Sequence, residues 1–409
     1  MNFKDKLRNY AKVVIERGIN VQKGMPLVIN TSTEAMDFVR LLTELAYERG
    51  ASEVIVRIQD DECNRMSAMM MSEEAIKHAP EWKLDMMLDY AHRKAGFLSV
   101  SAPNPGLMKD VAPERLMLMR SVNANLMKPF QKYTMNDINP WCVICIPSKA
   151  WADKVLPDVA EDKRVEELWD LIFKIVRVDG ADPDKAWDEF ENTIQEKAKY
   201  LNEMQFEKLH YRSKLGTDLT IEMPKNHLWI GGSSMSETGV RFTANIPTEE
   251  IFSAPKRDGV NGIVYATKPL SLSGKLVENF SLRFENGKCF EVKAEKNQKL
   301  LEDLIATDEN ACMLGEVDLV QNDSPISNSK KLFYSTLFDE NASCHLAFGA
   351  AYPTCVEGGA AMSEEELLKN GINDSKIHVD FMIGDETTEI IGYKDGKEYK
   401  IFEEGNWAF

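Results

Sequence analysis

The sequence predicts two structural regimes in one chain: an α/β N-terminal domain built on an open, largely parallel sheet, followed by a mixed α+β, strand-rich C-terminal domain. Three observations carry this expectation. Apolar, β-branched runs alternate with long helical periodicities through the first half. From about Lys208 the runs shorten and Gly and Asn punctuate them. The residue types able to do chemistry crowd the second half, which holds four of the six histidines. The boundary is expected near residue 200, giving domains 1–200 and 201–409.

The elements follow in order. "YAKVVIERG" has the apolar spacing of a helix and stops at Gly18. "MPLVIN" reads as a short buried strand, "EAMDFVRLLTELAYERG" as a helix ending at Gly50, and "SEVIVRI" as a second strand. A crossover of that length demands a parallel pair, so this is a βαβ unit. "GFLSVSAP" and "WCVICIP" continue the sheet, with "EEAIKHAPEWKLDMMLDYAHRKAG" and "PERLMLMRSVNANLMKPFQKY" as the helices between. The methionine-rich "RMSAMMMSEEA" reads as flexible packing. Helices around "VEELWDLIFKIVRV" and "AWDEFENTIQEKAKYLNEM" then lead to short strands: "GTDLTIEMP", "HLWIGG", "VRFTANIP", "GIVYATKPL" and "ENFSLRFENGKCFEVKA". In the last of these, Asn286-Gly287 predicts a tight hairpin turn.

Composition narrows the function classes. The chain has 409 residues, 44% hydrophobic, enough for more than one core. A formal net charge of −17 repels phosphate backbones and argues against nucleic-acid binding. The opening "MNFKDKLRNYAKVVIERG" is charged throughout, which predicts no secretory signal, and no apolar run is long enough to span a bilayer. Seven widely spread cysteines suit a reducing compartment, so the expected location is cytoplasmic. Cys142 and Cys145 have redox CxxC spacing, but their surroundings read as a buried strand. Neither GxGxxG nor GxxxxGK[ST] occurs where nucleotide binding would need it.

The candidates for chemistry are carboxylates and histidines set among small or apolar residues, where an unpaired charge is costly. In "KIHVDFMIG", strand alternation points His378 and Asp380 one way and Ile377, Val379 and Phe381 the other. Glu316 and Asp318 share a face of "LGEVDLV". Glu249 and Glu250 are adjacent in "NIPTEEIFSAP", and residue order does not separate them. In "FDENASCHLAFGAAYP", Glu340 and His345 are too far apart to share a helical face, so a loop is expected there, with Tyr352 just beyond. An oxygen and nitrogen donor set without thiolates suits one or two divalent ions such as Zn²⁺, Co²⁺, Mn²⁺ or Mg²⁺. The HExxH signature of single-zinc helix sites is absent.

These segments, with "SPISNSKKLFYSTLFDENASCHLAFGAAYP" and "VYATKPLSLSGKLVENFSLRFENGK", resemble the metallo-aminopeptidase family that includes aminopeptidases T and S and peptidase S. The likeness is dense in the second half and looser through "YAKVVIERGINVQKGMPLVI". It implies metal ligands at Glu250, Glu316, Glu340, His345, His378 and Asp380, with Glu316 as bridge and Tyr352 as the catalytic tyrosine. It further implies two divalent metal ions per subunit, attack on the peptide by a metal-bridging water, a homodimer, and broad-specificity release of N-terminal residues from peptides. Glu249 or Asp318 would carry a proton to the leaving amine. Two other readings stand beside this one. A dinuclear phosphoesterase would use the same ions, although its usual Asp-x-His and Gly-Asn-His patterns are missing. A non-catalytic binding protein would hold the metals as structural ions.

Overall fold

The computed structural model describes residues 1–272 and 275–409. Ser273 and Gly274, within the "VYATKPLSLSGKLVENFSLRFENGK" stretch, lie outside the described residues. The chain divides into two compact units. One comprises Met1–Glu189, Ser233–Pro247 and Phe333–Leu337; the other comprises Phe190–Gly232, Thr248–Leu332 and Phe338–Phe409. None of the described helices is long and apolar enough to cross a membrane.

The first unit is an open parallel α/β layer, as its alternating pattern predicts. Strands β1 (Pro26–Ser32), β2 (Glu53–Gln59), β3 (Gly96–Ser101), β4 (Trp141–Cys145) and β5 (Asn245–Ile246) lie in the order β5-β4-β3-β1-β2, every pair parallel. Val28 and Phe97 pack against Met87, Tyr90 and Phe130 of the helices Trp82–His92 and Pro113–Met135 on one face. On the other, the Tyr10 hydroxyl of helix Phe3–Val13 donates to the Cys145 carbonyl at 3.1 Å. Burial on both faces is why β1, β3 and β4 contain no charged residue.

Three local expectations change. The run 73–92 forms two helices, Glu73–Lys77 and Trp82–His92, because Pro80 has no amide hydrogen to give. The methionine stretch is a helix, Asp61–Met70, capped by Asp60, and its methionines point outward: Met70 is 81% exposed. "VRFTANIP" contributes β5 to the first unit's sheet, a long-range pairing that no local pattern encodes.

The second unit stacks two antiparallel sheets. The larger runs through Lys208–Arg212, Asp218–Glu222, Val260–Tyr265, Lys275–Glu285 and Lys288–Lys296, then Glu389–Lys394 and Lys397–Glu403. Its hairpin turns at Asn286 (φ 48°) and Gly287 (φ 82°), the positive-φ pair that the sequence predicts there. The smaller sheet, in the order β9-β8-β7-β6 with an edge strand Ile230–Gly231, contains β6 (Ile251–Ser253), β7 (Leu314–Leu319), β8 (His345–Gly349) and β9 (His378–Met382). Phe284 of the large sheet stacks on Phe348 of the small one at 6.0 Å, and Phe280 meets Phe381 at the same distance. Val317, Leu319 and Leu346 complete this core. Each such side chain contributes roughly 1.5–3 kcal/mol on burial, so one face of the small sheet is pinned and the other is left to carry polar groups.

Candidate metal centre

Register decides what that free face presents. Across β7, β8 and β9, Glu316 pairs with Ala347 and Ala347 with Asp380, so the two carboxylates flank a methyl group. Gly349 pairs with His378 one step along. A β-bulge between Leu314 and Glu316 turns Leu314 back into the core, while Glu316 stays on the polar face. The bulge needs Gly315, whose added Cβ would lie 2.3 Å from the Ala350 carbonyl oxygen. Gly349 is needed for a similar reason: it has φ +98°, and a Cβ would meet the Ile377 carbonyl at 2.0 Å.

The side chains converge on Glu316. Its Oε1 lies 3.5 Å from His345 Nε2, and its Oε2 lies 3.5 Å from His378 Nε2. Asp380 Oδ1 stands 3.3 Å from His378 Nε2. Ligand atoms of Glu316, His345 and Asp380 lie within 4.8 Å of one another, and so do those of Glu250, Asp318 and His345. Each ring has a second partner behind it. His378 Nδ1 is 2.7 Å from the Ala350 carbonyl oxygen; His345 Nδ1 is 3.4 Å from both the Ser343 carbonyl and Asp318 Oδ1. Exposure grades from floor to rim: the His345 side chain is 1% accessible, that of His378 26%.

The electrostatics of this arrangement are those of anions held too close together. Burial pushes the Glu340 carboxyl well above its usual range, and Asp380, Glu250 and Glu316 add to the push. Burial raises Asp318 likewise, reinforced by Glu250 and Glu316. Burial works against a charged His378, yet Asp380 and Glu316 outweigh it and raise the ring to about 10. Burial also opposes ionisation of Asp380, and there His378 prevails and holds the carboxyl below its usual value. For His345, burial lowers and Glu316 raises, with a net upward shift. A divalent cation does for these groups what bound protons otherwise must. Oxygen and imidazole donors of this number, with no thiolate aimed among them, fit such an ion.

Glu250, Glu316, Asp318, Glu340, His345, Tyr352, His378 and Asp380 come together here, whereas Glu249 is placed only by its backbone. Glu250 directly precedes β6, and Asn341 Oδ1 accepts from the Glu249 amide at 2.6 Å, tying that segment down. Glu250 bears on Asp318, Glu340, His345 and Tyr352. Glu340 opens a short 3-10 turn, Glu340–Ala342. His345 is the first residue of a strand, where a loop was expected, because Ser343 is already extended (φ −167°) after that turn. The Tyr352 ring meets His378 edge-on at 5.6 Å and packs on Phe252 at 5.5 Å. Burial raises its phenol, and the charges of Glu316 and Asp380 raise it further. Sequence reasoning missed Lys268, whose ammonium is lowered by burial against the pull of Asp339. Its place is set by Thr267, whose amide donates to the Met382 carbonyl at 2.9 Å. Ala347 was missed too, since a gap-making alanine has no signature of its own.

A strand-rich unit whose carboxylates and imidazoles turn to one enclosed point defines a divalent-metal protein. The profile of the family described as thermophilic metalloprotease (M29) matches residues 3–407. Aminopeptidase AmpS of Bacillus subtilis (strain 168) is 46% identical over 409 residues, covering 100% of both chains. Aminopeptidase T of Thermus thermophilus is 39% identical over 407 residues, 99% of each. The solved structure of wild-type AmpT from Thermus thermophilus superposes with a TM-score of 0.93 at 38% identity, covering 100% of both chains. The chain belongs to the thermophilic metalloprotease (M29) family.

Proposed function

We propose that this chain is a metal-dependent aminopeptidase that releases N-terminal amino acids from peptides with broad specificity. In this reading Glu250, Glu316, Glu340, His345, His378 and Asp380 hold two divalent ions, drawn from Zn²⁺, Co²⁺, Mn²⁺ and Mg²⁺, and Tyr352 is the catalytic tyrosine. The observation that carries it is Glu316, with one carboxylate oxygen facing each imidazole at 3.5 Å. A carboxylate so placed would help to hold both ions. When bound, the ions supply an activated water and polarise the scissile carbonyl.

The chain's own groups do the rest. The Tyr352 hydroxyl, beside His378 at the rim, donates to the carbonyl oxygen as negative charge gathers there. Rim carboxylates accept from the free α-amino group of the substrate, which makes the cut exo-acting. Asp318 is 0% exposed and lies behind His345, which leaves Glu249, itself only 5% exposed, as the carboxylate to carry a proton to the leaving amine. In chain order the catalytic domain is assigned to 201–409 and the N-terminal α/β domain to 1–200, with Ser233–Pro247 and Phe333–Leu337 folding in the first unit and 190–200 in the second. A cytoplasmic location is supported by the seven widely spread cysteines. The homodimer rests on the family resemblance alone.

The family description and the relatives' names favour peptide hydrolysis over the phosphoesterase and binding-protein readings. The test is hydrolysis of leucyl-p-nitroanilide before chelation, after it, and after separate return of Zn²⁺, Co²⁺, Mn²⁺ or Mg²⁺. Activity is expected to vanish and return. Folded protein that cleaves p-nitrophenyl phosphate but no aminoacyl anilide would overturn the assignment.

A further inference from the structure

The two histidines of the centre are built alike except in one respect. Both turn Nε2 toward Glu316, at 3.5 Å in each case. Both turn Nδ1 away from it. Behind His378, Nδ1 meets the backbone carbonyl of Ala350 at 2.7 Å, an acceptor that can neither move nor change charge. Behind His345 the Ser343 carbonyl is a distant 3.4 Å, and the remaining acceptor is the side chain of Asp318, also at 3.4 Å. Asp318 is 0% exposed, and neither of its carboxyl oxygens has a hydrogen-bond partner among the described residues. A wholly buried carboxyl group with both oxygens unspent is expensive and persists where it has a task.

Register shows that the placement is built in. Continuing the pairing of Glu316 with Ala347 and Val317 with Leu346 sets Asp318 directly across from His345. The carboxyl is therefore carried on a rigid strand two residues from Glu316, on the same face, and reaches the back of the ring while Glu316 reaches its front. A neutral imidazole has one N–H and one lone pair, and which nitrogen carries which is set by the partner of the other.

We propose that Asp318 is a positioning residue: it accepts the Nδ1–H of His345, fixes the tautomer whose Nε2 lone pair faces the metal centre, and strengthens that nitrogen as a donor. The proposal rests on His345 being a metal ligand, as in the reading above. At 3.4 Å the contact is longer than a settled N–H···O bond of about 2.9 Å, and it shortens once Nε2 is engaged. It also separates two arrangements that proximity alone leaves open. Glu250, Asp318 and His345 lie close enough to form a ligand triad of their own, but an Nδ1 that donates to Asp318 cannot also bind an ion on that side.

The test uses full-length, Zn²⁺-loaded protein labelled with ¹⁵N-histidine. Long-range ¹H–¹⁵N correlations report the tautomer of each ring, and the His345 signals are identified by their loss in His345→Ala. The expected result is Nδ1 protonated and Nε2 metallated at His345. A competing-chelator titration then compares Zn²⁺ affinity in Asp318→Asn, whose amide oxygen still accepts, with Asp318→Leu, which cannot. Both should bind the full number of ions, with affinity reduced about 10-fold and about 100-fold respectively. A metallated Nδ1 at His345, unchanged affinity in both variants, or loss of a whole ion in Asp318→Asn would each overturn the proposal. His345→Ala that binds Zn²⁺ like the parent would instead remove the ligand assignment beneath it. The tautomer measurement needs no substitution at Asp318, so it decides the matter even if both variants fail to fold.

Discussion

The parallel sheet of the first unit and the small antiparallel sheet of the second are both deeply buried, yet they treat charge in opposite ways. In β1, β3 and β4 every position is uncharged, and burial drives the Cys142 thiol far above its usual range. The wholly buried β7 and the partly buried β9 carry Glu316, Asp318, His378 and Asp380 on one face. The difference lies in what covers each side. Helices cover both faces at β1, β3 and β4, and charge appears only on the half-buried edge strand β2, as Glu53 and Arg57. The second sheet spends one face on the aromatic core around Phe348 and Phe381 and turns its other face inward on itself, charge against charge. Such a face is stable when a cation completes it. A buried sheet is therefore a site only where one face is released from packing.

The widest break in this contrast comes from removing a proposed ligand. His378→Ala should lose metal, measured by elemental analysis, and activity on leucyl-p-nitroanilide should fall below detection. Retention of both would make the charged face ordinary. The converse change puts a charge where the first sheet excludes it. Cys142→Asp should cost at least about 2–7 kcal/mol in denaturant melts, whereas Cys142→Ala should leave peptidase activity unchanged. Loss of activity in the alanine variant would revive a redox role for the CxxC.

Smaller effects sharpen the picture. Tyr352→Phe should fold and load metal normally while kcat falls about 10²–10³-fold; an unchanged kcat would return the ring to packing against Phe252. Ala347→Leu inserts bulk between Glu316 and Asp380. It should lower metal occupancy and cost about 1–3 kcal/mol, and full occupancy would show that the gap is not needed. The narrowest effect concerns Asp137, just before β4, where burial raises the carboxyl to about 6 against a partial offset from Ser234 and Trp141. The folded state then holds the proton more tightly than the unfolded chain, so this group costs stability as pH rises from about 4 to about 6, and the cost levels off above that. Asp137→Asn should match the parent near pH 3 and exceed it by up to about 3 kcal/mol at pH 7. Equal stability at both pH values would show that the first unit tolerates this carboxyl after all.

Much of this was legible in the residues. The βαβ periodicity located β1 to β4 and their parallel pairing, because a crossover helix leaves a long, regular signal. Asn286-Gly287 announced its hairpin, because positive φ at both positions suits few other pairs. The i, i+2 alternation in "IHVDF" and "GEVDL" identified the polar faces two residues at a time, since strand geometry alone sorts them. Other features were hidden for physical reasons. Pro80 split a helix that periodicity drew as one, and the outward-facing methionines of Asp61–Met70 have the same composition as packed ones.

What the sequence determined by itself was everything carried by neighbours along the chain: the strands, their faces and the kinds of donor each face presents. What only the tertiary structure decided was everything carried by neighbours across it. Glu316 stands between two imidazoles because antiparallel register sets Ala347 opposite it. Asp318 lies behind His345 by the same register, and Asn245–Ile246 pairs with a strand a hundred residues earlier in chain order. Register arises from the sum of many weak long-range contacts, and a local pattern of residues does not contain that sum.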